Sequence, residues 1–318
     1  MSDTLKWGDK PYHSLDFELK KRFGEKIYKV SLDGGFTCPN RDGTLDTRGC
    51  IFCSGNGSGD FAISRCHSVT EQINRGIQMV TAHKQTGNKF IAYFQSFTGT
   101  YAPVSVLEPL YSEALQHPDV VMLSVATRPD CLPPDILHLL ANCNRQKPVT
   151  VELGLQSVHQ HTADYIRRGY PTHVYDTAVE LCKSLGLEVV THVIAGLPGE
   201  TLEDFLKTVS HVAKIGSDGI KLQLLHVLKG TDLAAHYRQR RFETLSLEEY
   251  LTWITEALCI LPSDMVIHRV TGDGPKSLLL APEWSKNKRM VLNRLHQKMK
   301  TENLWQSKKE GEITPNGQ

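Results

Sequence analysis

Three cysteines stand close together in one glycine-rich stretch, DGGFTCPNRDGTLDTRGCIFCSGNGSGDF, at Cys38, Cys50 and Cys53, spaced C-x11-C-x2-C. Grouped thiolates suit soft metals. Three are one too few to close a 4Fe–4S cluster, so a cluster held here keeps one iron open to an outside ligand. The same residues suit a structural zinc site if Cys66 or His67 completes the set, because C-x11-C-x2-C-x12-C is acceptable zinc spacing. A thioredoxin-like pair at Cys50 and Cys53 fails, because SGNGSG follows where a helix should open. Incidental cysteines explain three in one loop poorly. The spacing alone fits open iron–sulfur and zinc equally.

Further polar residues fall where a ligand would need them. In TVELGLQS (150–157), alternation puts Glu152, Gly154 and Gln156 on one face and Val151, Leu153 and Leu155 on the other. A buried parallel strand should be apolar on both faces. Glu152 and Gln156 therefore belong either to an internal polar network or to a cavity that hydrogen-bonds an amino acid moiety and a ribose. In QSFTGTYAP, Thr98, Gly99 and Thr100 can offer backbone and hydroxyl groups to a ligand ammonium. Arg128 in TRPD and Arg168 in RRGYPT each suit a carboxylate, though a solvated arginine is the commoner fate. His192 lies in the strand candidate 187–196, and GLPGET after it turns into a helix that Glu200 and Thr201 can cap. His226 ends the sixth strand and is a candidate for proton transfer, a structural histidine being the plainer reading.

The elements that must position these residues alternate regularly. Strand candidates span 26–33, 89–96, 120–127, 150–157, 187–196 and 219–227. Amphipathic helical stretches lie between them, each closing near Gly, Pro or a polar stop. Crossovers of this length require parallel pairing and right-handed connections. That predicts an α/β fold, either doubly wound or a whole or partial (β/α) barrel, with ligands at the carboxyl ends of the strands in both. Beyond 230 the pattern changes to a helix over SLEEYLTWITEALCILP, a strand in DMVIHRVTGD, a basic helix over 286–309 and a frayed tail. The expected organisation is an N-terminal extension (1–25), a core (26–230) and a C-terminal extension (231–318).

With 36 Lys and Arg against 35 Asp and Glu in 318 residues, net charge identifies no partner, so a nucleic-acid surface must be a local patch. Eight cysteines, unevenly spaced, do not form a disulfide scaffold. The N-terminus lacks a signal-peptide core and no apolar run reaches membrane-spanning length. A cytoplasmic protein is expected, and in that reducing compartment clustered cysteines point to metal or catalysis. Cys66, Cys131, Cys143, Cys182 and Cys259 lack ligand spacing and read as core or incidental.

Taken in order, CPNRDGT…GCIFC, TRPD, VELGLQS, RRGYPT and HVIAGLPGET resemble the radical S-adenosylmethionine (SAM) superfamily. They are most similar to the branch containing the catalytic subunit of Elongator and the anaerobic coproporphyrinogen oxidases. The resemblance covers about residues 26–230. The eleven residues between Cys38 and Cys50 depart from the usual three, as does the long loop of the Elongator-like branch. The resemblance implies a partial (β/α)6 TIM-type barrel, a 4Fe–4S cluster on Cys38, Cys50 and Cys53, and SAM on the open iron. It also implies Phe52 beside the adenine, Thr98–Thr100 at the methionine ammonium, Arg168 at the carboxylate, and Glu152 and Gln156 lining the pocket. HVLKGTDLA (226–234) and RVTGDGPKSLLLAPEWSKNK (269–288) are similar to a Gram-positive group associated with converting 5-carboxymethylaminomethyl-(2-thio)uridine to the 5-aminomethyl form at the tRNA wobble position.

Three functional readings follow. For tRNA, the support is the basic segment 286–309 with Trp284 and Trp305 as stacking groups. The plainer alternative is a solvated helix packed through Met290, Leu292 and Leu295. The length leaves no room for an Elongator acetyltransferase domain. A small molecule such as a tetrapyrrole would need no basic patch. A non-catalytic zinc-binding RNA protein would hold zinc and not depend on Glu152 or Gln156. Flavodoxin or ferredoxin is the electron donor by family habit.

Overall fold

The computed structural model describes residues 7–55, 57, 62–63, 65–272 and 274–310. After α1 (Leu15–Phe23), strands and helices alternate: β1 (Tyr28–Leu32), α2 (Val69–Thr81), β2 (Phe90–Phe94), α3 (Val104–Gln116), β3 (Val120–Thr127) and α4 (Pro134–Asn144). Next come β4 (Val149–Gln156), α5 (Gln160–Tyr165), α6 (Thr172–Ser184), β5 (Glu188–Ala195), α7 (Leu202–Lys214) and β6 (Gly219–Leu224). The chain ends with β7 (Val227–Leu228), α8 (Asp232–Arg238), α9 (Leu247–Ile260), β8 (Val266–Arg269), β9 (Leu279–Ala281) and α10 (Lys288–Thr301).

The main sheet has the order β1-β2-β3-β4-β5-β6-β8. Strand order settles what spacing left open. A doubly wound sheet reverses direction at a switch point, whereas a barrel keeps its strands in sequence. The six strands run in sequence, so the fold is the partial (β/α)6 barrel topology. β8 extends the sheet beside β6, and β7 pairs antiparallel with β9.

One compact unit comprises Leu19–Gly154 and Arg167–Val190, the other Met1–Glu18, Leu155–Ile166 and Thr191–Gln318. In the first, register places Leu32, Phe94, Val125 and Val151 on one sheet face, all essentially fully buried. Phe94 packs edge-on against Tyr111 of α3, their ring centroids 5.2 Å apart. Each such side chain contributes about 1.5–3 kcal/mol on burial. The opposite face carries Lys29, Ser31, Tyr93, Ser124 and Glu152. Apolar residues thus bind the helices to the sheet and leave the polar set for the other side.

In the second unit, Phe205 of α7 stacks on Trp253 of α9 at 5.6 Å. Helix starts are set locally: Ser68, Thr201 and Ser246 each form a capping box with the acid three residues on. The basic helix is shorter than 286–309. Asn287 caps its start by accepting from the Met290 N–H, and Asn303, at φ 52°, ends it. Its inward side chains are Val291, Leu295 and Met299, where Met290 and Leu292 were expected beside Leu295. Among the described residues no helix is long and apolar enough to cross a membrane.

Candidate active site

The cysteine loop follows β1 and is folded onto itself by its own polar groups. The Cys38 carbonyl accepts from the N–H of Arg41 at 2.7 Å and of Asp42 at 3.2 Å, a tight turn that CPNRD permits. Arg41 donates to the carbonyls of Ser54 at 2.6 Å and Cys53 at 3.3 Å, tying the two ends of the loop together. Asn40 is 2% exposed, and its side-chain amide donates to the Arg167 carbonyl at 2.7 Å and reaches Cys50 Sγ at 3.5 Å. Gly169, at φ +83°, lets RRGYPT come this close; a Cβ there would stand 2.8 Å from Asn40 Oδ1.

Cys38, Cys50 and Cys53 are all half-buried and none is in a disulfide. The Cys50 thiol is pulled down to about 6, chiefly by a hydrogen bond from Cys53 and then by Arg128, Asn40 and Arg41. An electropositive, donor-rich surround of this kind suits thiolate ligands. Three free cysteines on one loop, with Asn40, Arg41 and Arg128 around Cys50, are a donor set that fits a 4Fe–4S cluster with one iron left open. Cys66 is exposed; Cys131, Cys143, Cys182 and Cys259 are buried, and Cys131 lines the cavity described below.

The loops at the neighbouring strand ends are held rigidly. Thr98 is buried and its N–H donates to the Thr37 carbonyl, one residue before Cys38. Gly99 gives its N–H to Ala126 O at 2.8 Å, and its own carbonyl accepts from Tyr111 OH at 2.5 Å. A Cβ at Gly99 would stand 2.8 Å from that Ala126 oxygen, so the approach requires glycine. The Thr100 hydroxyl bonds Thr127 Oγ1 and donates to Cys131 O, each at 2.5 Å. Arg128 forms a two-pronged pair with Asp130 at 2.9 and 2.7 Å and donates to Arg168 O at 3.0 Å. Arg168 is 2% exposed and donates to Tyr170 O at 3.0 Å and Thr172 Oγ1 at 3.2 Å. Both guanidiniums lie over the Tyr170 ring. Neither arginine is solvated, contrary to the common fate. Beside this loop opens a cavity of about 820 Å³ with Pro39, Leu45, Tyr101, Pro129 and Pro133 in its walls, a size that suits a small ligand.

On β4 the sequence left two readings of Glu152, and its surroundings match the internal network. One carboxylate oxygen accepts from Lys29 Nζ at 2.5 Å and Ser124 Oγ at 2.8 Å, the other from Tyr93 OH at 2.8 Å. Its side chain is fully buried, and Lys29 also lies over the Tyr93 ring at 4.6 Å. Gln156, at the strand's end, takes φ +67°. Phe97 and Arg167, in the loops around the cysteines, also take positive φ. Non-glycine residues held this way cost of order 1–3 kcal/mol each and cluster at functional sites. Phe52 and His192 are half-buried.

In the other unit, Ser157 and Glu200 are hydrogen-bonded, so GLPGET is tied to the end of β4, while Thr201 alone caps α7. His226 sits in a cradle of two glycines. A Cβ at Gly272 would stand 2.5 Å from its Cε1, and one at Gly274 3.1 Å from its Nδ1.

Sequence reasoning missed Lys29, Tyr93, Ser124, Asn40, Asp130 and Tyr170. Asp130 and Tyr170, each two residues from a singled-out arginine, and Asn40, inside the cysteine loop, carried a local signal; Lys29, Tyr93 and Ser124 did not.

Comparison with known proteins agrees with this geometry. Residues 47–212 match the Radical SAM superfamily and residues 217–301 the Radical_SAM C-terminal domain. The uncharacterized protein YtqA of Bacillus subtilis (strain 168) is 43% identical over 300 residues, which cover 94% of this chain and 93% of YtqA. The tRNA uridine(34) acetyltransferase of Methanocaldococcus jannaschii is 26% identical over 173 residues, 53% of this chain and 31% of that protein. The fold is similar to that of Methanocaldococcus infernus Elp3, with TM-score 0.68 and 17% identity, covering 88% of this chain and 64% of that one. The three-cysteine loop at the carboxyl end of β1, the barrel topology and these matches together place the chain in the radical SAM superfamily, whose members use a 4Fe–4S cluster and SAM.

Proposed function

We propose that this radical SAM enzyme acts on the wobble uridine of tRNA, converting its 5-carboxymethylaminomethyl-(2-thio) form to the 5-aminomethyl form. One observation carries the reading: the chain's kinship with a relative named for uridine 34 of tRNA. When bound, the cluster and SAM supply a 5′-deoxyadenosyl radical able to take hydrogen from unactivated carbon. The glycine-like methylene of the substrate suits that attack, because nitrogen and carboxylate stabilise the radical left behind. Transfer of one more electron to an external one-electron acceptor, such as an oxidised flavodoxin or ferredoxin, with loss of the nitrogen-bound proton, gives an imine, which water opens to the aminomethyl group and glyoxylate.

In this reading Cys38, Cys50 and Cys53 hold the cluster, and Asn40 and Arg41 fix their loop. Phe52, Thr98, Gly99, Thr100 and Arg168 bind SAM beside the cluster loop, and Gln156 and His192 are the further cofactor-binding residues of this reading. Arg128 and Glu152 shape the wall, being engaged by Asp130 and Lys29. His226, oriented by its glycine cradle, moves the proton during imine hydrolysis. A flavodoxin or ferredoxin supplies the reducing electron.

Nucleoside analysis of tRNA from wild-type and deletion cells tests this. The deletion should accumulate the carboxymethylaminomethyl nucleoside and lose the aminomethyl one, and the purified enzyme should release glyoxylate from the former. Identical nucleoside profiles would overturn the proposal.

A further inference from the structure

Four basic residues within or flanking α10 are committed to nearby acids. Arg294 pairs with Glu248 at 2.5 Å, Lys298 with Glu302 at 2.7 Å, Lys309 with Glu256 at 2.7 Å and Lys286 with Glu283 at 3.2 Å. The flanking tryptophan is committed too, for Trp284 donates to Leu245 O at 3.1 Å and packs against Tyr250. Of α10 itself, Arg289 and Lys300 remain on the exposed face without an ion pair among the described residues.

A second basic group is different. Arg238, Arg240 and Arg241 follow one another at the end of α8, all exposed, and no acid pairs with any of them among the described residues. The helix ends through a left-handed turn. The Arg241 N–H bonds His236 O at 3.1 Å and the Arg240 N–H bonds Tyr237 O at 2.9 Å, which puts Arg240 itself at φ +55°. Glycine usually fills that position, because a Cβ is disfavoured there. An arginine in a glycine's place is unfavourable for the fold and makes no ion pair within it. Aromatic rings accompany the charges: Tyr237 and Phe242 lie 5.8 Å apart, and Tyr165 OH holds His236 Nδ1 at 2.8 Å, fixing the last turn of α8. Arginines interleaved with rings suit a single-stranded RNA loop, phosphates to the guanidiniums and bases to the rings.

We infer that Arg238, Arg240 and Arg241 form the surface that grips the anticodon-loop backbone of the tRNA, rather than the α10 face. The inference rests on the tRNA reading above.

The test is binding of an anticodon stem–loop RNA to the full chain across a salt series. Each phosphate contact contributes about 0.7 to the slope of log Kd against log salt for a single strand. Replacing the three arginines together with glutamine should lower that slope by about 2. A rise from 50 to 200 mM salt would then weaken the variant roughly 15- to 20-fold less than the wild type. R289Q/K300Q should keep the wild-type slope. R240G separates folding from binding: its Tm should rise by about 1–2 °C while its slope falls by about 0.7. SAM cleavage under chemical reduction without RNA should be unchanged in every variant.

If wild type does not bind the stem–loop, the tRNA reading fails and this inference with it. If wild type binds and the triple variant keeps its slope, the arginine surface alone is wrong. Slower reduction by flavodoxin with an unchanged RNA slope would assign the arginines to an acidic protein and overturn the inference.

Discussion

Replacing Lys29 with methionine keeps most of the side chain's volume but removes the ammonium facing the buried Glu152 carboxylate. Stripping one partner from a buried pair costs about 3–5 kcal/mol, because the remaining charge is left desolvated. Two considerations favour the lower end. Ser124 and Tyr93 still donate to the carboxylate, and the Lys29 side chain is 21% exposed, so water reaches part of the site. A loss of about 3 kcal/mol is therefore expected for Lys29→Met. Glu152→Gln removes the charge but keeps an acceptor, and the partly exposed ammonium can hydrate, so about 1–2 kcal/mol is expected. The double variant has neither buried charge, so its loss should be only about 1–2 kcal/mol, leaving roughly 3 kcal/mol of coupling. Thermal unfolding followed by circular dichroism reads this directly. At about 2 °C per kcal/mol for a chain of this size, Lys29→Met should melt about 6 °C lower and the double variant should recover about half of that. SAM affinity in Glu152→Gln should stay within about threefold, under 1 kcal/mol. Additive single losses would refute the coupled pair, and a tenfold loss of SAM affinity would return Glu152 to direct contact with the cofactor.

Asn40→Ala removes the amide that bonds the Arg167 carbonyl and Cys50 Sγ; iron should leave the reconstituted protein faster under chelator and the cluster potential should fall, and unchanged values would contradict the positioning role. Gly99→Ala forces a methyl against the Ala126 carbonyl, so a loss of about 1–3 kcal/mol is expected, read as a lower melting temperature. His296 is held below its ordinary value of 6.5, first by burial and then by Lys10. Its neutral form is favoured in the fold, so that contribution is intact above pH 6.5 and is lost as pH falls below it, where the unfolded chain takes up the proton first. His296→Phe should flatten the decline in melting temperature between pH 7.5 and 5.5, and equal declines would contradict the assignment.

Much of the barrel could be read from the sequence because its signals are local. The strand at 120–127 coincides with β3, and the other main strands begin or end within two or three residues of the expected bounds. The choice between barrel and doubly wound sheet was not local, since strand order depends on pairing between distant segments. The same limit applied at Glu152. Alternation put it on the polar face, but its partners come from three other strands: Lys29, Tyr93 and Ser124. The helix over 286–309 was drawn too long because Asn287 and Asn303 act through backbone geometry that composition does not reveal. Its charge was read as a surface because the acids that neutralise it, such as Glu248 and Glu256, lie on α9.

Anaerobic reconstitution with iron and sulfide, followed by reduction in the presence of SAM, tests the central claim most directly. The expected result is a brown protein with about four irons per chain that forms 5′-deoxyadenosine, and the loss of both properties when Cys38, Cys50 or Cys53 is replaced by alanine. A colourless protein that retains about one zinc per chain and leaves SAM intact would contradict it.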